Sequence, residues 1–367
     1  MKKTLFDQTQ IASMKLKNRF FRSATYDGVA DEGGHLTERL FQVYENLAKG
    51  GVGTIITGLT AVIGSEQRIP GQMGIYDDTF IEEYKQMTEM VHRHEANIIL
   101  QIACLGSQSS PKGKADKTLL GPSAVEDLSY KVTPKEMTKQ EILAVQTAFA
   151  DAAFRAKQAG FDGVQIHGAH GYLLSKFLTP YYNRREDEYG GSIENRARMV
   201  LETYKMVREK VGPEYPVLVK INSEDYMEQG MTFAECKYVC HELAKIGIDA
   251  IEISGGSSSS RPNEGSARKI SIEQEAYYKA YAAEIASEIS TPVISVGGHR
   301  DFAATTGILN ETAIEYIALC RPLIYESDLI KRWKNGNMER AKCVSCNKCF
   351  RRDGTKCVFK DRKKEGK

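Results

Sequence analysis

Two histidines and a tyrosine lie within six positions near the middle of this chain, just after a predicted strand. The strand pattern covers residues 162–166 (DGVQI), and two glycines then prevent the strand from continuing. We therefore expect His167, His170 and Tyr172 together on a turn at a strand's carboxyl end, where α/β proteins keep their sites. Imidazoles can donate hydrogen bonds to a carbonyl oxygen, and a phenol can deliver a proton.

Structural roles are the main alternative for this group of side chains. A single histidine or tyrosine at a strand end is more often a satisfied polar residue than a functional one. A zinc pair is disfavoured, because no third carboxylate or thiol follows at ligand spacing. Three donors packed so closely favour a site that binds a small polar molecule.

Three motifs in this region carry a family resemblance: HGAHGY at residues 167–172, FLTP at 177–180 and DEYGGSIENR at 187–196. They resemble the Old Yellow Enzyme family of FMN oxidoreductases, in the branch similar to the N-terminal domain of 2,4-dienoyl-CoA reductase. The resemblance implies that His167 and His170 bind the oxygen of an α,β-unsaturated carbonyl substrate and that Tyr172 donates a proton. It also implies reduction of the substrate's C=C bond, with NAD(P)H as the reductant of FMN.

The rest of the chain alternates strand-like and helix-like segments, which predicts an α/β fold of the (β/α)8 TIM-barrel type. Capping boxes at Thr138, Thr232 and Ser271 mark helix starts, and Ser192 has the pattern of an N-cap. We expect the FMN-binding barrel to occupy residues 1–335 and a short basic, cysteine-containing C-terminal extension to occupy residues 336–367. The eight predicted strands lie near residues 19–23, 53–59, 97–102, 162–167, 216–221, 249–253, 292–296 and 315–319.

The resemblance places the flavin ring against the ends of the first three strands. The first strand ends in small and hydroxylated residues, and two positions depart from the family pattern: Ala24 replaces a proline, and Tyr26 replaces a threonine or cysteine. An amide such as Gln101 can donate to and accept from the ring's carbonyl and nitrogen atoms. The expected ring contacts on these strands are Ser23, Ala24, Thr25, Tyr26, Leu59 and Gln101.

Lys220 ends the fifth predicted strand, PVLVK. A lysine is rarely buried in an apolar barrel unless it has a role there. By the resemblance, its cation stabilises the reduced flavin, as the basic residue at the matching family position does. A Schiff-base lysine of a non-redox lyase also lies at a strand end, so this alternative stays open.

The ends of the seventh and eighth predicted strands have the pattern of a phosphate site. Barrels commonly bind phosphate there through backbone N–H groups, and an arginine can clamp a phosphate with two N–H groups. One position departs from the family, which often has glycine where this chain has a cysteine. The expected contacts to the FMN phosphate are Gly297, Gly298, Cys320 and Arg321.

Charge is unevenly distributed along this chain of 367 residues, whose net charge is +2. Residues 331–367 carry 14 Lys and Arg against 4 Asp and Glu, which leaves 36 against 44 for the rest. This basic tail has no basic motif interleaved with aromatic residues, so we expect no nucleic-acid partner. With no signal peptide and no apolar run of membrane length, we expect a cytoplasmic protein whose partners are small molecules and NAD(P)H. The sequence does not decide whether the chain forms a homo-oligomer.

Half of the eight cysteines are grouped near the C-terminus, which fits a reducing compartment and a metal site better than a disulfide framework. A 4Fe–4S cluster, a zinc ion and free thiols are all compatible with their spacing, and the cluster is favoured. A cluster would suit a second hypothesis, an amine-type flavin dehydrogenase that passes electrons to the tail. The four candidate ligands are Cys343, Cys346, Cys349 and Cys357.

Overall fold

Short parallel strands separated by helices follow one another along the computed structural model, which describes residues 2–64, 69–108, 119–351 and 353–360. Every apolar run predicted as a strand forms one, because such runs are short and rich in β-branched residues that a barrel buries on both faces. The barrel strands are Phe20–Arg22, Thr54–Ile56, Asn97–Ala103, Gly163–Gly168, Val217–Asn222, Ala250–Ser254, Val293–Ser295 and Tyr316–Leu319.

These strands close into a ring. Gly163–Gly168 pairs in parallel with both Asn97–Ala103 and Val217–Asn222. The first and last barrel strands complete the ring, with Phe21 opposite Ala318. The (β/α)8 barrel predicted from the sequence is therefore confirmed.

Helices connect the strands and pack around the outside of the barrel. Two of them begin with predicted capping boxes, in which Thr138 and Glu141, and likewise Thr232 and Glu235, exchange hydrogen bonds between side chain and backbone. The α-helices are Glu38–Lys49, Ile81–His92, Lys139–Gln158, Leu173–Leu178, Ile193–Val211, Phe233–Lys245, Lys279–Glu288, Phe302–Glu311, Arg321–Tyr325 and Leu329–Lys334, and a 3-10 turn covers Asp78–Phe80.

Two helix starts differ from the prediction. Ser192 is the N-cap residue of Ile193–Val211, as predicted, but its side chain makes no capping hydrogen bond. The helix expected after Ser271 begins only at Lys279, so this prediction was wrong. The backbone N–H of Ser271 does bond to the glutamine three residues on. Ala276, however, has a φ of +56°, a left-handed conformation that interrupts a helix.

Apolar side chains fill the amino-terminal end of the barrel. An antiparallel hairpin of Thr9–Ile11 and Met14–Leu16 lies there. Its buried side chains pack against inward-pointing residues of the strands, including Phe21, Ile99 and Tyr316. The carboxyl end is therefore the end that is left for a ligand.

The long loop predicted at residues 104–136 contributes to the carboxyl face. Within it, Leu120–Gly121 pairs with Lys135–Glu136, while residues 109–118 lie outside the described part of the chain. The run of serines after the sixth strand meets this loop, because Oγ of Ser259 lies 3.0 Å from Oγ of Ser129. Two loops therefore meet beside the strand ends.

The C-terminal tail packs against the barrel. The backbone N–H of Thr355 donates to the carbonyl of Asp27 at 2.8 Å, and its hydroxyl donates to the carbonyl of Tyr26 at 2.5 Å. Arg352 and residues 361–367 of the basic tail are not among the described residues, and the division of the chain at residue 335 stays a prediction. Within the described ranges, no helix is long and apolar enough to cross a lipid bilayer.

Candidate active site

A cavity of about 300 Å³ opens at the carboxyl end of the barrel. Barrels bind their small molecules at this end, and ligand pockets commonly have this volume or more. The structure brings together every barrel residue predicted for the site, since the cavity is lined by Ser23, Ala24, Thr25, Tyr26, Leu59, Gln101, His167, His170, Tyr172, Lys220, Gly297, Gly298, Cys320 and Arg321.

His167, His170 and Tyr172 form one group of rings in the cavity wall. The ring centres of His167 and His170 lie 5.1 Å apart, and those of His167 and Tyr172 lie 4.8 Å apart. Among the described residues, Nδ1 of His167 is buried and has no hydrogen-bond partner. A buried polar atom without a partner is costly, so this nitrogen is one that a bound ligand would satisfy.

Burial keeps both imidazoles neutral. It lowers the pKa of His167 well below its ordinary value, and the nearby His170 and Lys220 lower it further. Burial also lowers the pKa of His170 to about 3, again with a contribution from Lys220. At neutral pH each ring can therefore donate a hydrogen bond without bringing a positive charge.

The turn that carries His170 is held by its backbone as well as its ring. The N–H of His170 donates to Oδ1 of Asn222 at 3.1 Å, and its carbonyl accepts from Nε2 of Gln108 at 2.7 Å. Its ring nitrogen Nε2 lies 2.7 Å from Oγ of Ser254. Gly171 follows with a φ of +80°, and a Cβ there would lie 2.6 Å from Gln108. Glycine is therefore required after His170.

Lys220 reaches the cavity from a buried polar network. Its Nζ lies 3.1 Å from Oε1 of Glu252 and donates to the hydroxyl of Ser23 at 2.9 Å. Lys220 is 2% exposed and Glu252 is fully buried. Gln101 joins the network through Gln165, whose Oε1 accepts from Nε2 of Gln101 at 2.8 Å. Gln165 in turn donates to Glu252, so one connected set of side chains supports three of the predicted flavin contacts, Ser23, Gln101 and Lys220.

The end of the first strand shapes the cavity wall. The hydroxyl of Tyr26 donates a short hydrogen bond to the carbonyl of Pro70, so the phenol is tied to a neighbouring loop while its ring lines the cavity. The hydroxyl of Thr25 donates to the carbonyl of Ser23 at 2.9 Å and lies 3.1 Å from Sγ of Cys320. Tyr26 therefore contributes its ring, and its hydroxyl is engaged elsewhere.

Gly297 and Gly298 form a turn that lines the cavity. Their φ angles are +115° and +83°, conformations that glycine tolerates and other residues rarely adopt. A Cβ at Gly297 would lie 2.8 Å from the ring of Tyr278, so a larger residue does not fit. Consecutive N–H groups of such a turn can form a concavity that binds an anion.

Arg321 lines the same cavity as these glycines and holds the surrounding segments together. Its Nη1 donates to the carbonyl of Arg268 at 2.7 Å, to the carbonyl of Ser345 at 3.4 Å and to Oδ1 of Asn347. In the described part of the chain, its Nε and Nη2 make no hydrogen bond. Two nitrogens of the guanidinium are therefore left for a phosphate.

The C-terminal tail forms part of the cavity mouth. Ser345 and Phe350 line the cavity. Nη1 of Arg300 donates to the carbonyl of Cys343 at 3.0 Å, which fastens the start of this segment to the barrel. The tail therefore belongs to the site.

None of the four tail cysteines forms a disulfide bond. Burial and, to a lesser degree, the neighbouring thiols of Cys343, Cys357 and Cys346 raise the pKa of the Cys349 thiol to about 12, so the four sulfurs lie near one another. No group of three or more His, Cys, Asp or Glu side chains among the described residues is arranged to hold a metal ion. The structure therefore does not show the predicted cluster or zinc ion, and ligation by these cysteines stays a prediction.

Several residues of the site had no sequence prediction. Glu252 and Ser254 lie in the strand AIEIS, where a charge inside an apolar run was the available signal. The same signal identified Lys220. Other residues that line the cavity belong to no sequence motif, among them Tyr277, Tyr278, Ser345 and Phe350.

The closed barrel with a polar cavity at the carboxyl end of its strands places the chain among the (β/α)8 barrel proteins that bind a small molecule there. The chain belongs to the NADH:flavin oxidoreductase / NADH oxidase family, the Old Yellow Enzyme family, whose family model matches residues 4–340.

Several known proteins are similar to this chain in sequence or structure. It is 33% identical over 345 residues to NADH oxidase of Thermoanaerobacter brockii, covering 94% of this chain and 52% of that protein. It is 28% identical over 366 residues to cinnamate reductase of Clostridium sporogenes, covering 94% of this chain and 55% of that protein. A solved structure of 2-naphthoyl-CoA reductase with 2-naphthoyl-CoA superimposes with a TM-score of 0.87 at 26% identity, covering 95% of this chain and 55% of that one. The chain thus spans about half the length of these relatives.

Proposed function

We propose that this protein reduces the C=C bond of α,β-unsaturated carbonyl compounds, with NAD(P)H as the electron source. The observation that carries the proposal is the group of His167, His170 and Tyr172 in one cavity wall, with both imidazoles neutral. Two neutral N–H donors and a phenol suit a carbonyl oxygen and an adjacent carbon that must gain a proton. The names of two relatives, cinnamate reductase and 2-naphthoyl-CoA reductase, describe reductions of conjugated acids and thioesters by those proteins.

The residues of the cavity fit FMN. Gly297 and Gly298 offer backbone N–H groups in a turn that excludes a Cβ, and Arg321 offers two nitrogens, which suits a phosphate. Lys220 and Gln101 line the same cavity and suit the polar edge of the ring. When bound, FMN supplies hydride transfer from NAD(P)H to the substrate.

The side chains of this chain supply the binding and the proton. His167 and His170 hold the carbonyl oxygen of the substrate and polarise the conjugated bond, so that the β-carbon accepts hydride. Tyr172 holds a proton on its hydroxyl and gives it to the α-carbon, which balances the addition of hydride and proton across the C=C bond. A phenol, with an ordinary pKa near 10, stays protonated at neutral pH and so can act as an acid there.

The lyase alternative is not supported. Family membership identifies a flavin oxidoreductase, and the amine of Lys220 is engaged in an ion pair with Glu252. A Schiff-base lysine must instead be present as a free amine. The amine-dehydrogenase alternative is separated from the proposal by the experiment below.

Anaerobic turnover with 2-cyclohexenone tests the proposal. We expect the purified protein to show a flavin absorbance spectrum and to oxidise NAD(P)H with formation of cyclohexanone. Saturated cyclohexanone is the matched control and should not be reduced. A protein whose flavin is bleached by amines in the absence of NAD(P)H, and which leaves cyclohexenone untouched, would support the amine dehydrogenase instead.

A further inference from the structure

Glu252 is a buried carboxylate on the sixth barrel strand, behind the wall of the cavity. It is fully buried, and it lies directly opposite Lys220 in the register of the fifth and sixth strands. It does not line the cavity itself. An ionised side chain is rarely placed in a barrel interior unless its neighbours depend on it.

The first oxygen of Glu252 holds Lys220. Oε1 lies 3.1 Å from Nζ of Lys220 and accepts from the hydroxyl of Ser23 at 2.7 Å. The same hydroxyl accepts from Lys220 at 2.9 Å, so the three groups form a closed triangle. His167 lies opposite Lys220 on the neighbouring strand and His170 lies on the turn after that strand; both imidazoles are neutral and offer Lys220 no negative charge.

The second oxygen of Glu252 sets the direction of two amides. Oε2 accepts from Nε2 of Gln165 at 2.8 Å, and Oε1 of Gln165 accepts from Nε2 of Gln101 at 2.8 Å. A carboxylate can only accept, so Gln165 must turn its NH2 group toward Glu252 and its oxygen toward Gln101. Gln101 must then donate to Gln165, which fixes which way its amide meets the cavity.

We propose that Glu252 is the positioning residue for the flavin-facing wall. It holds Lys220 in place through the ion pair, and it fixes the orientation of the Gln101 amide through Gln165. The inference rests on the proposed function, because it takes Lys220 and Gln101 as contacts of bound FMN.

The central test compares the midpoint potential of the bound flavin in the parent protein and in Glu252→Gln. Without its ion-pair partner, the ammonium of Lys220 is no longer held at the cavity wall, so the variant loses the positioned cation that favours reduction. We expect the equilibrium constant for reduction to fall about tenfold or more. A direct effect of the carboxylate's field has the opposite sign, since removing a negative charge near the ring makes reduction more favourable.

A double-mutant cycle with Lys220→Met shows whether Glu252 acts through Lys220. In the Lys220→Met background, Glu252→Gln should no longer lower the equilibrium constant for reduction. Asp127→Asn is the matched control, because Asp127 forms a buried ion pair with Lys176 away from the cavity. This control should lower the melting temperature and leave the flavin potential unchanged.

Gln165→Met separately tests whether Glu252 orients Gln101 through Gln165. It also replaces Glu252→Gln as the test variant if Glu252→Gln does not fold. It keeps the ion pair but removes the partner that orients Gln101, so the dissociation constant for FMN should rise about tenfold, the scale of one lost hydrogen bond. Unchanged FMN affinity in Gln165→Met contradicts the proposed orientation of Gln101 through Gln165.

The outcomes separate this inference from the proposed function. If Lys220→Met leaves the flavin potential unchanged, the placement of the flavin itself is wrong. If Lys220→Met lowers the potential but Glu252→Gln raises it or leaves it unchanged, only the role of Glu252 is overturned. An equal fall in Asp127→Asn would also overturn that role, because the effect would then follow from any lost ion pair.

Discussion

Tyr172 is the side chain whose loss should separate ligand binding from proton transfer. Tyr172→Phe keeps the ring that packs against His167 and removes the hydroxyl. We expect FMN binding and reduction by NAD(P)H to be nearly unchanged, while reduction of the alkene slows about 100-fold or more, the usual contribution of a positioned proton donor. Rapid-mixing measurements of both half-reactions check this. Equal slowing of both half-reactions, or of neither, removes Tyr172 from the role.

The pKa of His170 predicts a dependence of stability on pH. Burial lowers this pKa from 6.5 to about 3 in the folded protein. The unfolded chain therefore binds an extra proton between these values, so the stabilisation is complete above about pH 6.5 and is lost as the pH falls toward 3. At pH 5 the loss is up to about 2 kcal/mol of the free energy of unfolding.

Urea unfolding at pH 7 and pH 5 measures this loss. His170→Gln should lose less stability on acidification than the parent protein does. His241→Gln is the control, because His241 is an exposed helix residue that contacts Glu288. The explanation fails if the parent and His170→Gln lose the same amount of stability.

At the level of single residues, the sequence revealed the polar groups that follow directly on an apolar run and concealed the groups behind them. His167, His170, Tyr172 and Lys220 were predicted because polar residues are conspicuous where an apolar run stops. Glu252 lies within its strand, and its partner Lys220 comes from another strand. A pairing between strands depends on register, which single-sequence patterns do not supply.

The turn after the seventh strand gives a prediction for a structural element. Gly297→Ala places a Cβ against Tyr278 and puts alanine at a φ of +115°. We expect FMN affinity to fall about tenfold or more, because the backbone N–H groups that would bind the phosphate must move. Fluorescence titration of the apoprotein with FMN measures the change.

Gly336→Ala is the matched control for this turn. Gly336 has a similar φ of +93°, but a Cβ there would have no neighbour within 4 Å. Both variants pay the cost of the left-handed conformation, so the melting temperature should fall in each. A loss of FMN affinity in both variants would show that backbone strain alone explains the effect.

Strands and helices were predicted well where burial determines the secondary structure and poorly where local contacts determine it. The barrel strands followed from short apolar runs such as residues 97–102, which can lie only in a core. The capping box at Ser271 was misleading, because the segment that follows it is bent at Ala276 and is bonded to the turn after the seventh strand, where the N–H of Tyr277 donates to the carbonyl of Gly297. A capping motif indicates a helix only when the next residues are free to form one.

The position of the tail predicts a property of the whole molecule. Phe350 lines the mouth of the cavity, although it lies far from the barrel strands in sequence. Phe350→Ala should widen the mouth, so that kcat/KM for bulky unsaturated substrates rises about threefold or more while that for cyclohexenone stays within about twofold. Steady-state kinetics with a graded series of substrates measures this.

Phe359→Ala is the control for the tail. Phe359 is an exposed aromatic residue of the same tail that does not line the cavity. It should leave the kinetics of both substrate classes unchanged. If Phe359→Ala changes the preference as much as Phe350→Ala does, the effect comes from the fold of the tail and not from the width of the mouth.

Closure of the ring between Phe20–Arg22 and Tyr316–Leu319 has a consequence for how the protein is made. During synthesis on the ribosome, the first strand emerges early and has no partner on one side until the last strand follows. An unpaired strand edge is a surface on which nascent chains associate with one another. The barrel can therefore complete its hydrogen bonding only after its eighth strand has emerged, and until then productive folding competes with aggregation.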